Sequence, residues 1–281
     1  MDSLIDAETL KKALSEGGDI FVLDASSHLP DAERDARAEF ADAHIPGARF
    51  LDLGSFFDVT SSVPKAVPSA EQFAQRMGSL GIGSETSVVL YDDSIIKPAF
   101  RAWFIMQLYG LEASVLDGGL AAWKQSGGAL ESGMPETSRR DFPVPEQGAK
   151  VRSKAEMLAN IDSEAEQVID ARDAARFAGT APPDAHGLPS GHIPGSRNLF
   201  FRDLLNEDGT FRSREELARA FREAGIDPDG PVVTTCGSGV TASILLFALH
   251  LLGNDDAKLY DGSWLEWASD PGTPRETSAA A

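Results

Sequence analysis

Cysteine is nearly absent from this chain: Cys236 stands alone among 281 residues. One thiol excludes an internal disulfide and any metal site built from several cysteines. Positive charge is also scarce. Lys and Arg number 25 against 44 Asp and Glu, for a formal net charge of −19. That balance argues against nucleic acid and against anionic membrane surfaces as partners. An anionic substrate would need a local positive site, because the field of the whole chain opposes it. Long apolar runs are missing too. None nears the roughly 18–20 residues that span a bilayer. The start, Met1-Asp2-Ser3-Leu4-Ile5-Asp6, has no basic segment and no long apolar run, so no secretory signal is expected. The expectation is a soluble cytoplasmic protein without a metal or cofactor.

What is present is a duplicated pattern. The hydrophobic fraction of 42% suits a globular protein, and the length suggests about two domains. In the first half, Ile20-Phe21-Val22-Leu23-Asp24-Ala25-Ser26 reads as a strand that ends in a turn. His44-Ile45-Pro46-Gly47-Ala48-Arg49 follows, then a helix over residues 70–80 opened by Pro68-Ser69 and stopped by Gly81. Ser87-Val88-Val89-Leu90-Tyr91-Asp92 reads as a second strand, residues 101–108 as a helix, and Ser114-Val115-Leu116 as a third strand before Asp117-Gly118 and Trp123. The second half returns to Gln167-Val168-Ile169-Asp170-Ala171-Arg172, His192-Ile193-Pro194-Gly195-Ser196-Arg197, Val232-Val233, and Asp261-Gly262 with Trp267. The last two landmarks each lie 144 residues after their counterparts. Landmarks repeated in one order, at a period too long for a solenoid, imply two tandem globular units. Alternating strands and helices imply an α/β fold, each unit a mainly parallel sheet flanked by helices. The expected boundaries are a first domain over 1–126, a Gly- and Pro-bearing linker over 127–150, and a second domain over 151–281. The tail after Asp270 reads as frayed.

Cys236 lies where the second Val-Val strand gives way to the apolar run 244–252, in the loop Cys236-Gly237-Ser238-Gly239-Val240-Thr241-Ala242. Its glycines let the backbone turn tightly and aim several N–H groups inward, and a helix N-terminus adds positive potential. Both effects favour a thiolate, which is the nucleophile. At the twin position of the first half stands Asp92, followed by Asp93-Ser94-Ile95-Ile96-Lys97-Pro98, with no glycine and a proline that donates no N–H. The first domain is therefore expected to be catalytically silent. His44 and His192 occur in both halves, although one half lacks the nucleophile, so both read as turn residues; so do Asp117 and Asp261. Trp264 and Trp267 read as core.

Tandem α/β domains, the paired His-Ile-Pro-Gly, Asp-Gly-x-x-x-x-Trp near each domain end, and a single cysteine opening Cys-Gly-Ser-Gly-Val-Thr resemble the two-domain rhodanese-type sulfurtransferases over nearly the whole chain. Within that family this loop is the form of members acting on 3-mercaptopyruvate; thiosulfate-preferring members typically carry Cys-Arg-Lys-Gly-Val-Thr. The resemblance implies transfer of sulfane sulfur from 3-mercaptopyruvate or thiosulfate to a thiol or cyanide, through a Cys236 persulfide held by N–H groups of residues 237–242. Cys236 is then catalytic, and Gly237, Ser238, Gly239, Val240, Thr241, Ala242 and Arg176 bind substrate. Arg176 matches the family arginine of Asp-x-Arg-x-x-x-Arg-Phe-x-Gly-Thr and would hold the substrate carboxylate. The implied partners are a small-molecule sulfur donor and a thiol acceptor such as a thioredoxin or a low-molecular-weight thiol, acting on a monomer. Three positions depart from the family. Ala185 stands where a second arginine is common, Lys65 where His-Met-Leu-Pro begins, and Gly54 where an acidic residue is usual.

Two rival readings follow from the residues. Cysteine phosphatases need an arginine six residues after the nucleophile, where this chain has Ala242. A persulfide carrier with weak activity on small donors would need less cationic binding than an enzyme of free metabolites.

Overall fold

The computed structural model describes residues 1–17, 20–184 and 186–277. In the first half, five strands are β1 Leu4–Ile5, β2 Ile20–Asp24, β3 Arg49–Phe50, β4 Ser87–Tyr91 and β5 Ala113–Leu116. They form one parallel sheet in the order β1-β5-β4-β2-β3. The helices are α1 Ala7–Ser15, α2 Ala36–Asp42, α3 Ala70–Ser79, α4 Ala99–Leu108 and α5 Gly119–Gln125. The second half has β6 Val151–Arg152, β7 Gln167–Asp170, β8 Arg197–Asn198, β9 Val232–Thr235 and β10 Lys258–Tyr260, again parallel, in the order β6-β10-β9-β7-β8. Its helices are α6 Lys154–Ser163, α7 Ala174–Ala178, α8 Arg214–Glu223, α9 Ala242–Leu252 and α10 Ser263–Ser269. The two strand orders match position for position, as the repeat predicts.

Local chemistry explains the helix ends. Ser69, Ser153 and Ser213 each cap a helix, with Gln72, Glu156 and Glu216 completing reciprocal capping boxes. Helix α9 is apolar nearly all round because residues 242–249 are all buried. It stops at Gly253, whose φ of 98° is a conformation that side-chain-bearing residues rarely adopt. The central strands β4 and β9 are buried along almost their whole length, the pattern of a parallel sheet covered on both faces. Val22, Val89, Tyr91 and Trp123 lie in one core cluster, and Val168, Val233, Tyr260 and Trp267 in its counterpart.

By contacts, the chain forms two compact units. The first comprises Met1–Asp58, Val67–Ala149 and Glu207–Phe211; the second comprises Val59–Ala66, Lys150–Asn206 and the chain from Arg212 onward. Residues 127–149 thus belong to the first unit. The Ala129 carbonyl accepts the Trp123 indole N–H at 2.8 Å, and Glu131 bridges the His44 backbone. The second unit repeats this arrangement, which corrects the expectation of a frayed tail. The Pro274 carbonyl accepts the Trp267 indole N–H at 2.8 Å, Thr273 is buried, and Glu276 bridges the His192 backbone. A polar, Pro- and Gly-bearing stretch reads as loose, yet backbone pairing to a buried turn needs no apolar side chains. Of that tail, Ser278 to Ala281 lie outside the described residues.

Candidate active site

Strand β9 delivers Cys236 to the end of the sheet, with 2% of its surface exposed. Its backbone is held on both sides. The Thr235 carbonyl accepts the Ala171 N–H at 2.9 Å, the Cys236 N–H donates to Ser263 Oγ at 3.2 Å, and the Cys236 carbonyl accepts the Trp264 N–H at 3.0 Å. The Gly237 carbonyl accepts the Leu265 N–H at 2.9 Å. Beyond it, the chain turns through Gly239 at φ 78° into α9. The Ser243 hydroxyl donates to the Gly239 carbonyl at 2.9 Å and pins the turn to the helix start. Among the described residues, the N–H groups of Gly237, Ser238, Gly239, Val240, Thr241 and Ala242 find no acceptor in the protein. Six successive donors running into an eleven-residue helix, with no acceptor among the described residues, form a loop suited to an anion. Gly237, Ser238 and Thr241 are half-exposed, so the loop meets solvent there, whereas Gly239, Val240 and Ala242 are buried.

The first unit shows what such a loop does with an anion in place. Asp92 ends β4 at the position of Cys236 and is 3% exposed. Its carboxylate accepts the Ser94 N–H and the Ala99 N–H, each at 3.1 Å, with Lys97 Nζ at 3.9 Å. Two N–H groups are aimed inward here, and a built-in carboxylate occupies them. Burial pushes the Asp92 carboxyl up, opposed by Lys97.

Asp24, at the end of β2, is also buried, and desolvation pushes its carboxyl up to about 6, against the hydrogen bond from the Ser26 N–H at 2.8 Å. The ordinary carboxyl value is 3.8. The native state therefore binds the extra proton, and the Asp24 contribution to stability falls as pH rises from about 4 through about 6. Asp24→Asn is expected to raise the thermal stability of the first unit at pH 7, by about 1–3 kcal/mol. The gain should vanish near pH 4. Melting curves of both proteins across that range check it; a gain that does not depend on pH contradicts the assignment.

The arginines near the second sheet divide into two kinds. Arg172 is buried against Asp170, with Nη2 at 2.6 Å and Nε at 3.0 Å from Oδ2. It also donates to the Gly191 carbonyl at 2.7 Å and lies 4.5 Å over the Trp264 ring. Arg176, in α7, is mostly exposed, and its one ion-pair partner among the described residues is Asp173 at 3.3 Å. Among the described residues it makes no hydrogen bond to the Cys236 loop. His44 and His192 are buried turn residues: each stacks on a phenylalanine, Phe40 at 4.0 Å and Phe177 at 3.9 Å, and each bonds that residue's carbonyl. Trp264 and Trp267 are core, as read. Lys65 is exposed, at φ 54°, in the segment that belongs to the second unit. Gly54 lies in the short 3-10 helix Leu53–Phe56, its N–H accepted by Asp52. Ala185 lies outside the described residues. A cleft of about 550 Å³ is lined by Asn160, Glu164, Glu166, Pro194, Arg197 and Glu276, and by no residue of the Cys236 loop. Among the described residues, no cluster of His, Cys, Asp and Glu is placed to hold a metal, and no helix is long and apolar enough to cross a membrane.

Sequence reasoning passed over Ser263. The signal was there: the repeat sets Asp261-Gly262-Ser263 against Asp117-Gly118-Gly119, a serine where the twin has glycine.

Comparison with known proteins agrees with this architecture. The Rhodanese-like domain family matches residues 6–126 and 153–270. The human 3-mercaptopyruvate sulfurtransferase is 40% identical, covering 94% of this chain and 91% of its own. The thiosulfate sulfurtransferase of Cricetulus griseus is 38% identical, covering 93% and 89%. The crystal structure of the 3-mercaptopyruvate sulfotransferase SseA from Escherichia coli superposes with a TM-score of 0.82 at 33% identity, covering 94% of this chain and 99% of that one. The chain belongs to the rhodanese family and carries two rhodanese-like domains in tandem. It is an enzyme of the sulfurtransferase class, of the 3-mercaptopyruvate sulfurtransferase-like kind.

Proposed function

We propose that the chain moves sulfane sulfur from 3-mercaptopyruvate, or less readily thiosulfate, to a thiol or cyanide through a persulfide on Cys236. The observation that carries this is the run of six N–H groups from Gly237 to Ala242, unengaged among the described residues and directly following the only cysteine. In the first half-reaction the Cys236 thiolate attacks the donor sulfur. A sulfur–sulfur bond forms, the carbon–sulfur bond breaks, and its electron pair passes into the enolate of pyruvate. The donor's thiol proton ends on that carbon. The persulfide anion that remains is a diffuse charge, which preorganised backbone donors stabilise without a metal. In the second half-reaction the acceptor attacks the outer sulfur and returns the Cys236 thiolate. Ser238, half-exposed at the loop mouth, donates to the substrate carbonyl as it becomes an enolate. Gly237 and Ser238 carry no charge, which suits a carbonyl-bearing monoanion better than a dianion. The first domain takes no part in the chemistry, because Asp92 occupies its loop. The enzyme works as a cytoplasmic monomer, where a reducing environment keeps its thiol free.

Arg176 holds the donor carboxylate. Removing a charge-assisted pair made equally in the ground and transition states raises KM and leaves kcat. Arg176→Gln is expected to raise the KM for 3-mercaptopyruvate about tenfold or more, with kcat within about twofold. A KM that stays put assigns the carboxylate to another cation. The whole reading is tested by thiocyanate release from 3-mercaptopyruvate and cyanide, run beside thiosulfate; absence of thiocyanate with both donors rules it out. One observation favours a second reading. Arg176 stands exposed, and the stretch where the family often has a second arginine contributes none, so small donors are held by a single cation. Rapid uptake from a protein persulfide, with very high KM for both small donors, marks the chain as a persulfide carrier instead.

A further inference from the structure

Ser263 follows Gly262 at the start of α10 and is fully buried, at φ 50°. Its hydroxyl donates to the Tyr260 carbonyl at 2.9 Å, so its oxygen is oriented to accept, and what it accepts is the Cys236 N–H at 3.2 Å. A side-chain-bearing residue in the left-handed region costs free energy, and such residues persist where the surroundings impose them. The first unit has the relaxed solution, Gly119 at φ 61°. There the backbone packs so closely that a Cβ would lie 2.2 Å from the Asp92 carbonyl oxygen. The second unit carries a serine at this position, and the serine's oxygen goes to the nucleophile's own N–H.

We propose that Ser263 is a positioning residue for Cys236, a role that rests on Cys236 being the nucleophile. The Thr235–Cys236 peptide is clamped at its carbonyl by Ala171 and at its N–H by Ser263; the next carbonyl is clamped by Trp264. With those three bonds made, Cys236 has a single backbone orientation, and its N–H is spent on the scaffold. The sulfur is then presented to the N–H groups of residues 237–242 and not to its own. Without the hydroxyl, the buried Cys236 N–H loses its partner, and the peptide is free to turn toward whatever acceptor is near, the sulfur included. The consequence falls on the rate of the chemical step. Donor binding, which depends on the carboxylate cation and the loop mouth, is untouched.

Ser263→Gly is the matched variant, because glycine at this φ is relaxed and the twin position already uses it; Ser263→Ala is the second. The expected result in both is a kcat for pyruvate release lowered about tenfold, with donor KM within about twofold. The single cysteine makes 15N-cysteine labelling report one amide, and exchange of the Cys236 N–H should be faster in both variants. Thermal midpoints and circular dichroism give the folded fraction. A kcat within twofold of the parent, unchanged amide exchange, or a rate loss matched in both variants by an equal loss of folded protein overturns the role of Ser263. Cys236→Ser, run alongside, separates the two claims. If it still releases pyruvate, the nucleophile assignment fails; if it is dead while Ser263→Gly is fully active, only the positioning role fails.

Discussion

Replacing Cys236 by serine lowers sulfur transfer by about three orders of magnitude or more and leaves the fold intact. The size follows from what is lost. The attacking group and the carrier of the transferred sulfur are one atom, so no neighbour can take over half of the task, and loss of a nucleophile costs the full covalent route. A serine hydroxyl is a far poorer nucleophile, and no second thiol exists in the chain. The fold survives because the three backbone bonds around the residue do not involve its side chain. Thiocyanate release and a thermal melt check both halves of the prediction. Activity retained above about a hundredth of the parent rate contradicts it.

Arg172→Ala is expected to destabilise the second unit by about 3–5 kcal/mol, the cost of leaving one member of a buried ion pair behind. Arg172 is 6% exposed and Asp170 is 1% exposed. The alanine removes three hydrogen bonds to Asp170, the bond to the Gly191 carbonyl, and the guanidinium over Trp264. The carboxylate then stays in the interior with the Arg172 N–H as its remaining protein donor. The thermal midpoint of the second unit should fall by about 10 °C or more. Adding Asp170→Asn should recover part of the loss, because the stranded group is then neutral. Calorimetry on the three proteins measures this; a drop of less than about 1 kcal/mol for Arg172→Ala contradicts the account of the pair as structural.

Much of this was legible in the residues. Strands β2, β4, β7 and β9 are β-branched or apolar runs bounded by turn residues, and the offset of 144 residues shared by the later landmarks exposes the duplication in the sequence itself. The cysteine loop was legible because glycine spacing, strand and helix leave few other conformations. Other features needed three dimensions. The pairing of Glu131 and Glu276 with the histidine turns is backbone chemistry, which side-chain patterns do not encode. The opposite fates of Arg172 and Arg176, four residues apart, depend on burial: one faces the sheet end and Trp264, the other solvent. In the first unit's loop the proline and the lack of glycine are visible in the residues, while the two N–H groups on Asp92 are not. Ser263 was written in the repeat as a serine against a glycine, but only its φ and its bond to the Cys236 N–H give that difference meaning.

The central claim is that Cys236 carries the sulfur. Intact-protein mass spectrometry after brief exposure to 3-mercaptopyruvate, without acceptor, tests it most directly. The account predicts a gain of one sulfur atom, localised to the Cys236 peptide and removed by cyanide or a thiol. No gain in mass while pyruvate is still released, or a gain that persists in Cys236→Ser, contradicts it.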